Sequence, residues 1–308
     1  MLKSMLSIMV TTLAVLAAAM FLPEPVSSGQ GPISVVVSIH PVADLVKQVG
    51  RERVTVRTFL PPGASPHVFD PTAKQMVELS SARAFIKVGA GLEFWADRFV
   101  RAVDNRNLLV VDLSKDMQLI ESGHDHGREG KGNHGRHGRT DPHFWLDPVM
   151  AQRIIDRIVT VLSDLDPSGR EFYRKNGDAA KAGIAQLHQE MTERTGKFRI
   201  REYVTFHPAW NYFSQRYGLR IIGVIEESPG KEPTARHIAR IVKDLKRLGA
   251  RVVFAEPQFN PAVAEAIARE AGARVLFLDP IGGPNLPDRD TYVKLMQYNL
   301  SQMERAMK

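Results

Sequence analysis

Four side chains able to bind a metal recur in one kind of setting along this sequence: His67, His143, His207 and Asp279. The clearest setting is Thr140–Pro148, which reads Thr-Asp-Pro-His-Phe-Trp-Leu-Asp-Pro. Asp147 followed by Pro148 predicts a helix start there. The carboxylate can cap orphan N–H groups, and proline at the first helical position loses no needed donor. His143 lies four residues upstream, on the loop feeding that helix, where a neutral imidazole is a candidate ligand. A lone loop histidine is usually an ordinary surface residue, so the case rests on repetition. His67 precedes Asp70-Pro71, His207 precedes Pro208, and Asp279 precedes Pro280. Each belongs to a strand-to-helix or loop-to-helix step. Three imidazoles and one carboxylate suit zinc or a similar borderline divalent ion, whereas an oxygen-rich set would favour manganese or calcium.

The elements that must position these residues alternate. A continuous apolar run predicts a buried strand over Ile33–Ile39, and further strands are expected over Val54–Leu60, Ala84–Val88 and Leu108–Leu113, with helices between them. One of those helices is expected to start at Asp70-Pro71 and run to about Ala82. After a helix over Met150–Leu165, the segment Glu171–Lys197 is polar-rich and helical, with no strand signal. The alternation then resumes with strands Tyr203–Phe206, Arg220–Ile225, Val252–Ala255 and Val275–Leu278, and ends in a helix over Thr291–Met307. Strands alternating with helices imply parallel, doubly wound sheets covered on both faces. The expected class is therefore α/β, with two similar lobes and a long helix between them. In such sheets ligands bind beyond the carboxyl ends of the strands. Two lobes facing each other would bring all four candidates into one cleft. His188 and His237 fall inside helices and are expected to be solvated, while His40 ends a strand.

The expected organisation is a signal peptide over 1–28, an N-terminal lobe over 29–168, a connecting helix over 169–198 and a C-terminal lobe over 199–308. Lys3, the apolar run Ile8–Leu22 and the small residues around Val26–Ser28 have the layout of a cleavable secretory signal. The run is short for a membrane span. The chain has no cysteine. Disulfides, thiolate ligands and a lipid-bearing cysteine at the cleavage point are thereby excluded, and a soluble periplasmic protein is expected. The net charge of +7 comes from scattered residues, without a basic helix or stacking aromatic set, so no nucleic-acid partner is expected. Gly123–Gly138 holds His124, His126, His134 and His137, many glycines and no apolar residue. It reads as a flexible loop whose histidines are candidates for an auxiliary, weaker metal site.

The stretches Ser38–Gly50, Pro62–Thr72, Gly89–Trp95, Asp141–Pro148, Phe206–Phe213, Glu256–Phe259 and Leu278–Gly282 together resemble one family. It is the metal-binding solute-binding proteins of bacterial ABC importers, the zinc and manganese cluster. The resemblance implies two α/β lobes joined by one long helix, with metal in the cleft between them. It also implies that His67, His143 and Asp279 stand at ligand positions. The third ligand is commonly glutamate in manganese-type members and histidine in zinc-type members, and this chain has His207. The expectation is a monomer that captures Zn(2+) with high affinity and delivers it to the membrane subunit of an ABC permease. A manganese or mixed-metal carrier, or an adhesin on the same scaffold, is the nearer alternative. A secreted zinc hydrolase is the more distant one. It would need an open coordination position and a general base. No His-Glu-x-x-His and no nucleophile elbow is present. Glu256 fits a partner to a ligand histidine as well as it fits a base. The chain is therefore read as a binding protein rather than an enzyme.

Overall fold

The computed structural model describes residues 31–121, 140–228 and 230–308. The expected signal peptide and the histidine-rich run Gly123–Gly138 lie outside the described residues. Two four-stranded parallel sheets form the frame. The first holds β1 (Ile33–Val37), β2 (Val54–Thr58), β3 (Ala84–Lys87) and β4 (Leu109–Asp112) in the order β2-β1-β3-β4. The second holds β5 (Glu202–Thr205), β6 (Arg220–Val224), β7 (Val252–Ala255) and β8 (Arg274–Phe277) in the order β6-β5-β7-β8. The two orders are the same, so each lobe has a point between its first and third strands where the connections diverge, β1/β3 and β5/β7. Successive side chains of β1 go to opposite faces, as the two-residue period of a strand requires. Val35 and Val37 join one buried cluster and Val36 another. Both faces are covered at the central strands β1 and β3, which explains their apolar character, while the outer strands β2 and β4 are partly exposed.

The helices are α1 (His40–Gly50), α2 (Ala73–Ser80), α3 (Ala96–Ala102), α4 (Pro148–Leu165), α5 (Arg170–Thr195), α6 (Asn211–Tyr217), α7 (Ala235–Leu248), α8 (Ala262–Ala271) and α9 (Tyr292–Met307). The long helix expected between the lobes is α5, 26 residues without interruption. It packs on α1 and α4 of the first lobe and on α6 and α9 of the second. One buried cluster runs from β1 through α1, α4 and α5 to α6, α9 and the second sheet. The two lobes thus share a core, and bending them apart would expose it. Gly177 marks the tightest crossing, since a Cβ there would lie 2.4 Å from Val159 Cγ2.

Two helix starts differ from expectation. α2 begins not at Asp70 but after Thr72, whose side chain accepts from Gln75 N while the Gln75 side chain caps Thr72 N. This reciprocal capping box satisfies two orphan donors, which outweighs a lone Asp-Pro signal. α1, expected from helical spacing over Val42–Val49, begins at His40, because Pro41 in the first turn loses no hydrogen bond. Nor are His188 and His237 solvated. They are half-buried, with His188 Nδ1 3.0 Å from the Tyr217 hydroxyl and His237 Nε2 2.7 Å from the Val224 carbonyl.

Candidate metal centre

Each of the three histidines is placed by a different device. His67 follows β2 on a loop whose Pro66 carbonyl accepts from Trp95 Nε1 at 2.9 Å. Trp95 in turn stacks on Phe59 and meets Phe69 edge-on. His143 sits at the entry to a short turn, Phe144–Leu146, which feeds α4. Asp147 caps that helix as expected, accepting from Val149 N at 2.9 Å. His207 follows β5 at the β5/β7 divergence, where Glu256 leaves β7.

The three rings turn their Nε2 atoms toward one point. Nε2 of His143 lies 3.2 Å from Nε2 of His67 and 3.3 Å from Nε2 of His207. All three ligand atoms lie within 4.8 Å of one another, and among the described residues this is the one such cluster. Nitrogens about 2.05 Å from a tetrahedral zinc ion are separated by about 3.3 Å. The two short separations match the edges of such a site.

In His143 and His207 the opposite ring nitrogen is held by a carboxylate. Asp141 Oδ1 accepts from His143 Nδ1 at 2.8 Å and from His143 N at 2.9 Å. His207 Nδ1 lies 2.8 Å from Glu256 Oε1 and 2.7 Å from Oε2. A carboxylate only accepts, so each imidazole keeps its proton on Nδ1 and turns a bare Nε2 lone pair inward. Burial pushes the His143 imidazole below the usual histidine range, and Asp141 pulls it partly back. That imidazole is neutral, the form that binds metal. Glu256 and Asp141 also leave negative charge just behind the nitrogens, which attracts a divalent cation in a low-dielectric pocket. The sequence leaves Glu256 open as a base or a partner to a histidine, and it pairs with His207. Asp141 was missed, although an aspartate two residues before His143 is the signal that finds it.

The cavity they enclose is about 10 Å³, lined by His67, His143, His207, Gln258, Phe259 and Trp145 among others. That is room for about one ion or one water, far below the several hundred Å³ of an organic-substrate pocket. Asp279, the fourth expected residue, is buried but stands outside the histidine cluster. Its Oδ1 accepts from Gln258 Nε2, Ile281 N and Gly282 N, each at 3.0 Å, and its Oδ2 faces Arg289 Nη1 at 3.3 Å. His40 does not reach the cavity. Its Nε2 lies 3.0 Å from the Asp290 carbonyl, joining α1 to the second lobe. The four loop histidines, His124, His126, His134 and His137, lie outside the described residues.

The lobes close on this site through several direct bonds. Trp145 Nε1 donates to the Pro280 carbonyl and the Tyr292 hydroxyl to the Trp145 carbonyl, both at 2.8 Å. The Tyr212 hydroxyl donates to the Asp141 carbonyl at 2.9 Å.

The chain is similar to known proteins along most of its length. The family model described as zinc-uptake complex component A, periplasmic, matches residues 35–306. The chain is 28% identical over 287 residues to the zinc-binding lipoprotein AdcA of Streptococcus pneumoniae, covering 90% of this chain and 56% of that protein. It thus spans a little over half the length of that relative. It is 26% identical to the high-affinity zinc uptake system protein ZnuA of Bacillus subtilis, covering 89% of this chain and 88% of that one. A crystal structure of ZnuA superposes with a TM-score of 0.79 at 29% identity, covering 90% of this chain and all of that one. With the family model spanning both lobes and the linking helix, the chain belongs to the family of periplasmic A components of zinc-uptake complexes.

Proposed function

We propose that the protein captures Zn(2+) outside the cytoplasmic membrane and delivers it to the membrane subunit of an ABC-type permease. The observation that carries this reading is the set of Nε2 separations, 3.2 and 3.3 Å, which match the edges of a tetrahedral zinc site. A donor set dominated by imidazole nitrogen weighs against manganese, which favours oxygen. The cavity of about 10 Å³ weighs against hydrolysis, because a scissile substrate has nowhere to sit. His67, His143 and His207 are ligands in this reading, with the Asp279 carboxylate as the fourth. Glu256 and Asp141 fix the rings. Among the described residues no helix is long and apolar enough to cross a membrane. Export would come from the signal at 1–28, and the protein would act as a monomer without a nucleic-acid partner. His124, His126, His134 and His137 would collect zinc weakly beside the cleft, since ordering a glycine-rich loop costs binding energy.

The test is elemental analysis of the purified protein before and after chelation, followed by reloading with an equimolar mixture of zinc and manganese. One tightly held zinc per chain is expected. Removing Gly123–Gly138 should leave that ion in place. A chain that reloads with manganese in preference, or holds no metal, overturns the reading.

A further inference from the structure

α7 departs from the expectation that the positive charge is scattered and forms no basic helix. Arg236, Arg240, Lys243 and Arg247 follow one another at spacings of four, three and four, which places them in one stripe along the helix. All four are exposed, and so is Lys246 beside them. The inner side of α7, with Ile241, Val242 and Leu245, is buried in the second lobe. The single acid of α7, Asp244, is half-buried and pairs with Arg247 at 2.9 Å. Glu227 lies 3.2 Å from Arg240, and Glu270 lies 3.7 Å from Lys246. Arg236 and Lys243 have no ion-pair partner among the described residues.

Helix stability does not account for the stripe. Lys246 and Arg247 stand in the last turn, where the helix dipole favours a cation. Arg236 stands in the first turn, where the dipole disfavours one and where no acid is present. Beside the stripe, Ile238, Ala239, Val242 and Ala266 line an open groove between α7 and α8, together with Lys243, Lys246 and Glu270. Its volume of about 590 Å³ suits part of a lipid rather than one ion. An apolar strip bordered by a row of cations is the layout of a helix that lies on anionic lipid. No aromatic side chain lines the groove, so a nucleic-acid base has nothing to stack on. The loop entering α7 passes the cleft, since a Cβ on Gly230 would lie 3.5 Å from Val68, the residue after His67.

We propose that the outer face of α7, with the groove beside it, is a docking surface for an anionic lipid membrane. Arg236, Arg240, Lys243, Lys246 and Arg247 meet lipid phosphates, and the groove receives apolar atoms of the same surface. Docking there confines the chain to the membrane surface and holds its cleft nearby. The inference goes beyond zinc capture and does not depend on it.

Flotation of the purified protein with lipid vesicles tests this. The vesicles are phosphatidylcholine alone, or the same lipid with roughly one third phosphatidylglycerol to supply anionic phosphate. The apolar run Ile8–Leu22, where retained, would bind both kinds alike, so the difference between them is read. The wild type is expected to float with the anionic vesicles and to release as salt is raised. Arg236→Gln combined with Lys243→Gln should weaken this about 25-fold, about fivefold for each cation removed near the surface. Both residues are exposed, so melting temperature and zinc affinity should stay unchanged. Arg101→Gln combined with Arg106→Gln removes the same charge from exposed sites on the first lobe and should change binding by less than about twofold. Ala239→Glu puts a carboxylate in the groove and should weaken binding without touching the stripe. Absence of any preference for anionic vesicles overturns the inference. So does an equal loss in the two double variants, which would make net charge alone the cause. Capture by duplex DNA without capture by anionic vesicles overturns it as well. None of these outcomes bears on zinc capture, which elemental analysis tests separately.

Discussion

Arg216 grips Asp147 from across the cleft. Its Nε lies 3.0 Å from both carboxylate oxygens and its Nη2 lies 2.7 Å from Oδ2. Asp147 is the cap of α4 and Arg216 belongs to α6, so one ion pair ties the helix that presents His143 to the helix that follows His207. The fork is close to the two-pronged geometry that guanidinium and carboxylate favour. Asp147 is nearly fully buried, so its charge has little water to fall back on.

Removing the arginine should therefore hurt more than a surface pair would. Arg216→Met is expected to lower unfolding stability by about 3 kcal/mol, because it strands a buried carboxylate. Urea denaturation of the metal-free protein measures this. A loss under about 1 kcal/mol, the range of an exposed pair, would show that the pair contributes no more than surface charge.

The two glycines of α5 should respond in opposite directions. A Cβ on Gly183 meets nothing within 4 Å, so Gly183→Ala should stabilise by up to about 1 kcal/mol through helix propensity. At Gly177 a Cβ would collide with Val159, whose branched side chain is stiff in a helix. Gly177→Ala should cost about 1–3 kcal/mol despite the same propensity gain. The order of the two melting temperatures decides it, and equal shifts would contradict the tight crossing.

Buried histidines set the pH response of the metal-free protein. Burial lowers both His143 and His40 from the ordinary value of 6.5. Below that value the unfolded chain takes up protons that the folded chain still refuses. Stability should therefore be full above about pH 6.5 and fall progressively as the pH drops below it, toward the folded-state values. Thermal melts between pH 8 and pH 5 test the sign. A midpoint that is flat, or that rises toward pH 5, would contradict it. His143→Gln should flatten part of the slope.

Much of the scaffold was legible because each signal was local. The Val- and Ile-rich runs, the Asp147-Pro148 cap and the polar α5 each follow from a few neighbouring residues. The three clustered histidines were legible as candidates through a shared position at loop steps in two repeated lobes. What was not legible depended on partners far along the chain. No local pattern shows that Arg289 faces Asp279, or that the Gln258 amide donates to it. His188 and His237 look solvated on a helix and yet meet Tyr217 and the Val224 carbonyl. The helix after β2 starts after Thr72 rather than at Asp70 because Gln75, three residues on, completes a reciprocal cap that a lone Asp-Pro step lacks.

His143 carries the most direct test, since its Nε2 is shared between both short separations in the cluster. Competition titration against a chromogenic zinc chelator should give one tight site in the wild type. In His143→Ala, provided its melt shows it folded, affinity should drop on the order of a hundredfold or more, as a ligand bond is lost from a preformed site. An affinity in folded His143→Ala equal to that of the wild type would contradict the three-histidine centre.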